Sequence, residues 1–151
     1  MSATTILLPD PHPLTAPAFG MRVRVYYEDT DAGGIVYHAN YLRYFERART
    51  DWLRALGAVH TELDARHGLV FVVRDLAIDY IAPARLDDEL LIDVHLLEAR
   101  RASMRVAQYA RRPDTGEVLV GCALRIAALD RATGRPAGFP RWLTDRFRST
   151  P

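Results

Sequence analysis

The chain has little of several features that mark common classes of protein. It has one cysteine, Cys122, and no lysine, and its 20 arginines are nearly balanced by 19 acidic residues. A single cysteine cannot form an internal disulfide, so we expect a buried thiol and a reducing compartment. The arginines alternate with acids, and the formal net charge is only +1. That distribution lacks the basic stripe of a nucleic-acid-binding protein, and we expect no nucleic-acid partner.

Long apolar runs are also missing, since no stretch approaches the roughly 20 apolar residues that cross a bilayer. The first 20 residues carry neither the basic nor the apolar part of a secretory signal. Four prolines between positions 9 and 17 favour an extended, poorly ordered leader over residues 1–20. The remaining length suits one domain, at residues 21–151. The sequence thus predicts a soluble, cytoplasmic protein without an integral membrane segment.

The predicted strands and helices occupy separate parts of the chain. Apolar and polar residues alternate over residues 21–27, which predicts a strand, and apolar residues recur at helical spacing from Asn40 to Leu56. Asn40 fits the N-cap of this long helix, and Gly57 fits its C′ position. Further predicted elements are helices at 61–67 and 141–147 and strands at 70–81, 89–99, 101–112 and 117–129.

This order, with one long helix followed by four successive strands, indicates an α+β fold. The simplest arrangement is a single domain in which one curved antiparallel sheet wraps around the long helix. A sheet with an exposed edge commonly pairs with another copy, so we expect an oligomer.

The most specific stretch lies between the first strand and the long helix, at residues 26–41. It places acidic residues just before a helix N-terminus, whose free N–H groups favour negative charge. This pattern suits a reaction in which a carboxylate acts while an oxyanion develops nearby. The residues alone leave alternatives open, because Asp31 also fits a turn cap. Gly33 and Gly34 fit either close approach to a ligand or an ordinary turn.

The same stretch resembles the acidic loop of the hotdog-fold acyl-CoA thioesterases. More narrowly, it is similar to the Tol-Pal-associated branch of the 4-hydroxybenzoyl-CoA thioesterase family. The similarity continues through residues 44–50, 71–74 and 80–88, and covers residues 21–147. The resemblance implies a five-stranded antiparallel sheet around one helix, in a homodimer or homotetramer with active sites at the subunit interface. It further implies hydrolysis of acyl-CoA without metal or other cofactor, and it leaves acyl carrier protein open as the carrier.

Roles of individual residues also follow from the resemblance. It implies that Asp31 is the catalytic carboxylate, either as nucleophile or as general base, and that the main-chain N–H of His38 stabilises the oxyanion. The His38 side chain either assists by positioning water, orienting Asp31 or protonating the thiolate, or has no catalytic part. Tyr27, on the inward side of the predicted strand, is either a hydrogen-bonding partner of the site or a core residue. The residues expected to bind substrate are Gly33, Gly34, Val36, Tyr37 and Asn40.

Two other functions fit parts of the pattern. Hotdog hydratases and dehydratases, which act on enoyl or hydroxyacyl thioesters, often separate a catalytic Asp and His by four residues. Here six residues separate Asp31 from His38. The other alternative is a non-enzymatic module that binds acyl carrier protein or an envelope complex. A metal site in the second helix is disfavoured, because His60 and His67 lie seven apart without a matching second pair of ligands.

Overall fold

The computed structural model describes residues 8–10 and 16–151. Residues 1–7 and 11–15, which belong to the predicted leader, lie outside the described residues. The strands are β1 (Phe19–Arg24), β2 (Leu69–Tyr80), β3 (Glu89–Ala99), β4 (Ser103–Arg111) and β5 (Val118–Asp130). The α-helices are α1 (Asn40–Ala55), α2 (His60–His67) and α3 (Arg141–Arg148). Among the described residues, no helix combines the length and apolar character needed to cross a membrane.

The five strands form one antiparallel sheet in the order β1-β3-β4-β5-β2. Strands β3, β4 and β5 follow one another as hairpins, and the chain between β1 and β2 carries α1 and α2 from one edge of the sheet to the other. The predicted α+β architecture, with one sheet and one long helix, is therefore confirmed. Its topology leaves β1 and β2 as the two edge strands.

Helix α1 packs its apolar stripe against the inner face of the sheet. Of the apolar residues predicted from helical spacing, Tyr41, Phe45, Ala48 and Trp52 are at most 2% exposed, whereas Leu56, after the last turn, is only half-buried. Gly57 is the C′ residue of this helix, as predicted, and its φ of +87° places it in the left-handed region that glycine adopts without strain. The N–H of Gly57 donates to Arg54 O, and the next N–H donates to Leu53 O. These two bonds form a Schellman motif.

Polar side chains also fix α1 to the sheet inside the core. The Nη1 of Arg49, on α1, donates to Gln108 Oε1 on β4 at 2.8 Å, and Gln108 Nε2 donates to Phe45 O at 3.1 Å. Arg49 also pairs with Glu46 one turn earlier. Burial lowers the pKa of Arg49, because a charged guanidinium is costly in the core. Nearby, Cys122 is buried as predicted, and burial raises its pKa to about 11.

Strand β1 ends earlier than predicted, and this moves Tyr27. The strand stops at Arg24 because Val25 then bonds with the loop before β3: its N–H donates to Asp88 O and its carbonyl accepts from Asp87 N. The chain next forms a 3₁₀ turn at Tyr27–Asp29. The expected inward position of Tyr27 is therefore wrong, and its side chain is 84% exposed.

The start of α1 also differs from the prediction. Ala39 is the N-cap, and Asn40 is the first residue of the helix. Instead of capping the helix, the Asn40 side chain donates from Nδ2 to Asp29 Oδ1 at 2.9 Å. The capping prediction is wrong because a buried carboxylate acceptor from the preceding loop takes the side chain.

Candidate active site

The loop before α1 is held in shape by its own backbone. Asp31 N–H donates to Ile35 O at 2.9 Å, and Gly34 N–H donates to Asp31 O at 3.0 Å. Gly34 has a φ of +79°, so a side chain at this turn position would strain the backbone. Residues Thr30 and Val36 form an isolated antiparallel bridge on either side of the turn. The local sequence thus folds into a tight turn that presents the Asp31 side chain.

The Asp31 carboxylate uses only one of its oxygens in this turn. Oδ1 accepts the N–H of Gly33 at 2.8 Å, and a Cβ at position 33 would lie 3.1 Å from that oxygen. Glycine at position 33 therefore lets the carboxylate approach the backbone closely. Among the described residues, no hydrogen-bond donor reaches Oδ2. The side chain is exposed, so this oxygen is available for chemistry.

Asp31 lies on the wall of a cavity of about 400 Å³. The lining residues are Asp31, Ile35, Val36, His38, Tyr41, Tyr80, Ile81, Ala82 and Pro83. Carboxylate and imidazole therefore share a wall with aliphatic and aromatic side chains. Such a cavity suits a ligand that is apolar along most of its length and carries one reactive polar group.

The main chain at His38 lies just before α1, which begins two residues later. No backbone carbonyl of the described residues accepts the His38 N–H. The His38 carbonyl, by contrast, accepts a 2.8 Å hydrogen bond from the Tyr80 hydroxyl at the end of β2. An unpaired N–H next to the positive end of a helix dipole favours an anion or a developing oxyanion.

Asp29 holds the loop through hydrogen bonds to both of its carboxylate oxygens. Its Oδ2 accepts the N–H of Tyr26 at 2.8 Å, and its Oδ1 accepts from Asn40 Nδ2. Asp29 and Asn40 are both buried. The pKa of the adjacent Tyr44 is raised, mainly by burial and further by the nearby Asp29 carboxylate. These contacts give Asp29 a stabilising role in the loop.

The structure brings together three of the residues singled out in the sequence, since Asp31, Val36 and His38 all line the cavity. The other predicted site residues (Tyr27, Gly33, Gly34, Tyr37 and Asn40) are not among its lining residues. Tyr37 instead contacts the His38 ring at a tilted angle, with ring centres 4.6 Å apart.

Residues 80–83 also line the cavity, and none of them is among the predicted site residues. The available signal was Pro83 just beyond the predicted strand 70–81, which marks a point where the chain leaves the sheet. The sequence does not show that the end of this strand lies near the acidic loop, because that proximity depends on the sheet topology.

A second cavity, of about 410 Å³, lies where β3 turns into β4 and meets α3. Four arginines line it, namely Arg100, Arg101, Arg141 and Arg148, together with Ala99, Phe139 and Thr144. Two of them have carboxylate partners: Arg100 pairs with Glu98 at 2.9 Å and Arg148 with Asp145 at 3.4 Å. No acidic residue lines this cavity, so it is suited to an anion.

Comparison with known proteins places this fold and loop in a family. A family model described as the thioesterase-like superfamily matches residues 25–147. The chain belongs to this superfamily. Acyl-CoA thioesterase YbgC of Haemophilus influenzae is 43% identical to it over 129 residues, covering 85% of this chain and 93% of the relative. Acyl-CoA thioester hydrolase YbgC of Escherichia coli is 39% identical over 135 residues, covering 86% and 96%.

Solved structures of thioesterase-like proteins have the same fold. A probable thioesterase from Bartonella henselae superposes with a TM-score of 0.75 at 35% identity, covering 80% of this chain and 98% of the other. A 1,4-dihydroxy-2-naphthoyl-CoA thioesterase from Synechocystis superposes with a TM-score of 0.78 at 20% identity, covering 83% and 92%. The second similarity concerns the fold alone. The predicted hotdog fold is confirmed.

Proposed function

We propose that this thioesterase-like protein hydrolyses acyl-CoA thioesters to a free acid and CoA. The observation that carries the proposal is that Asp31 and His38 line the same largely apolar cavity. An acyl chain suits the apolar walls, and its thioester carbonyl would lie at the polar end. The names of the YbgC relatives support the same substrate class.

Two routes for Asp31 are consistent with its contacts. In the first, the free Oδ2 attacks the thioester carbonyl, the C–S bond breaks, and water then hydrolyses the resulting mixed anhydride. In the second, the carboxylate takes a proton from a water molecule that attacks the carbonyl, and the proton passes to the departing thiolate. Both routes use a carboxylate oxygen of Asp31 that accepts no hydrogen bond from the described residues, which is Oδ2. In both, the Oδ1 bond to Gly33 N–H holds the carboxylate in place.

The developing oxyanion needs a donor that is in place before the reaction starts. We assign this part to the unpaired N–H of His38, at the start of α1. A donor of this kind contributes roughly 3 kcal/mol to stabilisation of the transition state. Because the group belongs to the main chain, its part in catalysis does not depend on the imidazole.

A second copy of the chain would complete the site. Strand β2 is an edge of the sheet. Beside its charged residues it exposes the apolar side chains of Val72, Val73 and Leu76, and an exposed edge of this kind can pair with another chain. We propose a homodimer in which the β2 strands of two copies pair. Tyr80 and Ile81 line the cavity and are 44% and 60% exposed, so such a partner would cover its open side.

The arginine-lined cavity suits the other end of the substrate. CoA carries phosphate groups, and a guanidinium matches phosphate in charge and geometry. The cavity lies at the end of the sheet where β2 begins, and Tyr80 lies where β2 ends. If two β2 strands pair in antiparallel fashion, the arginines of one copy lie toward the Asp31 cavity of the other. We therefore propose that these arginines bind the nucleotide part of CoA.

A thiol-release assay with straight-chain and aromatic acyl-CoAs tests the proposed function. Hydrolysis releases one free thiol for each thioester consumed, and the preferred acyl group is read from the ratio of kcat/KM values. The assay with 2-enoyl-CoA separates the hydratase alternative, in which the double bond disappears without release of thiol. Binding of acyl-CoA with neither reaction would instead support the non-enzymatic alternative. Replacing CoA by acyl carrier protein in the same assay identifies the carrier.

A further inference from the structure

The outer face of the sheet, turned away from α1, is buried around Tyr109, although no helix in the part of the chain that the structure describes covers it there. On this face Ala107, Tyr109 and Ala123 are at most 2% exposed. The described residues that reach this face, Leu8 and Pro9, belong to the N-terminal segment, which here means residues 8–10. The Tyr109 hydroxyl donates to Pro9 O at 2.7 Å, and Leu8 Cδ2 lies 3.7 Å from the place a Cβ on Gly121 would take.

The position of the Tyr109 ring depends on Gly121. The two residues are opposite each other in the β4–β5 register. A Cβ on Gly121 would lie only 3.2 Å from Tyr109 Cε1, so glycine gives the ring room to lie across the neighbouring strand. That orientation carries the hydroxyl over the sheet, where it meets the Pro9 carbonyl.

A buried polar cluster holds the ring from the other side. The Arg111 guanidinium lies 5.0 Å from the centre of the Tyr109 ring, and its Nε donates to Asp93 Oδ2 at 2.8 Å. Asp93 Oδ1 accepts the N–H of Tyr109 itself at 2.8 Å, and the His95 ring meets the Tyr109 ring edge-on. Asp93 is 2% exposed. These contacts hold the Tyr109 ring, and with it the hydroxyl, independently of the Pro9 carbonyl.

The hydroxyl remains a donor over the whole physiological range. Burial, followed by the charge of Asp93, raises the pKa of Tyr109 to about 12. On the segment, Pro9 presents a carbonyl acceptor but no N–H. A proline can therefore lie on a closed face without leaving an unpaired donor, as in the recognition of proline-containing segments by aromatic residues elsewhere.

We propose that the outer face around Tyr109 is a binding site for an extended, proline-containing segment, and that its occupant is Leu8–Asp10 of the same chain. The segment binds through the Pro9 carbonyl and through Leu8 over Gly121. This interaction is separate from the Asp31 cavity and does not depend on the proposed hydrolysis.

Thiol labelling of the full-length chain tests this interaction. Leu8→Cys introduces a reporter in the segment, and Cys122 does not compete because it is buried with a raised pKa. The reference for full accessibility is a synthetic peptide of residues 1–17 with the same change. We expect labelling in the protein to be slower than in the peptide by about 10-fold or more. Adding Tyr109→Phe should speed it by roughly 2- to 12-fold, the equivalent of one hydrogen bond.

Two further variants complete the test. Tyr26→Phe removes another hydroxyl, one that makes no hydrogen bond among the described residues, and it should leave the labelling rate unchanged. Pro9→Gly changes only the segment and should also speed labelling, because it raises the entropy of the unbound segment. Equal rates in protein and peptide would overturn the proposal. So would a rate unaffected by Tyr109→Phe, or by Pro9→Gly if Tyr109→Phe fails to fold.

Discussion

Two carboxylates two residues apart have different surroundings in the loop before α1. Asp29 is buried and uses both oxygens to hold Tyr26 and Asn40. Asp31 is exposed, and one of its oxygens has no donor among the described residues. The second acid therefore has the freedom to react, while the first keeps the loop in place. The amino-acid pattern alone could not separate these two parts, because it is nearly symmetric.

Asp31→Asn should lower kcat/KM for acyl-CoA by on the order of 10²–10⁴-fold, since an amide is neither a nucleophile nor a base here. The fold should persist, because an amide oxygen can still accept the Gly33 N–H. Steady-state thiol release measures the loss, and circular dichroism checks the fold. Asp114→Asn is the matched control, because Asp114 also accepts a backbone N–H in an exposed turn. Near-normal turnover in a folded Asp31→Asn protein would contradict the assignment.

His38→Ala separates the main chain from the side chain. If the N–H is the oxyanion donor, the variant should keep kcat/KM within about 10-fold of the parent, because alanine retains that N–H. The same thiol-release assay measures the effect over a pH range. A loss on the order of 100-fold or more would instead assign acid–base work to the imidazole.

At the scale of helices and strands, periodicity predicts most of the structure and polar side chains account for the differences. The long helix, the glycine that follows its C-terminus (Gly57) and the hairpin strands follow from spacing and turn residues. The positions of Asn40 and Tyr27 do not follow from spacing. The Asn40 side chain bonds to the buried Asp29 carboxylate instead of capping the helix, and Tyr27 lies in a 3₁₀ turn instead of a strand. Both outcomes depend on contacts between residues of the loop that a strand or helix pattern does not contain. The wall formed by residues 80–83 depends on topology in the same way.

Gln108→Leu tests the polar link between α1 and the sheet. The change leaves the buried Arg49 guanidinium without its 2.8 Å acceptor on β4, and it should lower the free energy of unfolding by about 1.5–3 kcal/mol. Urea denaturation measures this difference. Glu46→Gln is the control: Glu46 is the other partner of Arg49 but its side chain is 59% exposed, so its change should cost less than about 1 kcal/mol. Equal effects would contradict a special role for the buried link.

The proposed binding of the CoA nucleotide in the arginine-lined cavity can be tested with substrates that have or lack the nucleotide. Arg101→Ala should raise KM for acyl-CoA by roughly 10-fold, the equivalent of one charge-assisted hydrogen bond. It should leave KM unchanged for the same acyl group on N-acetylcysteamine, which lacks the nucleotide. Arg66→Ala, on the exposed face of α2, serves as the control. An equal rise in KM for both substrates would place the effect at the acyl end and contradict nucleotide binding.

At the scale of the whole molecule, the exposed apolar edge of β2 is the feature that a single chain leaves unexplained. Leu76→Arg puts a charge on that edge and should convert the proposed dimer to a monomer in sedimentation experiments. Activity should fall by about 10-fold or more, because the cavity would lose its cover. Circular dichroism checks that the chain stays folded. A monomer with full activity would contradict a site completed by two chains.

The hydrogen bond from the Tyr80 hydroxyl to His38 O has a consequence for how the protein behaves on dilution. It ties the helix start, where we propose the oxyanion donor, to the strand that we propose at the subunit interface. Alignment of the donor and association of the chains are then one event. Specific activity should consequently fall as the protein is diluted below the dissociation constant of the dimer, and recover when it is concentrated again.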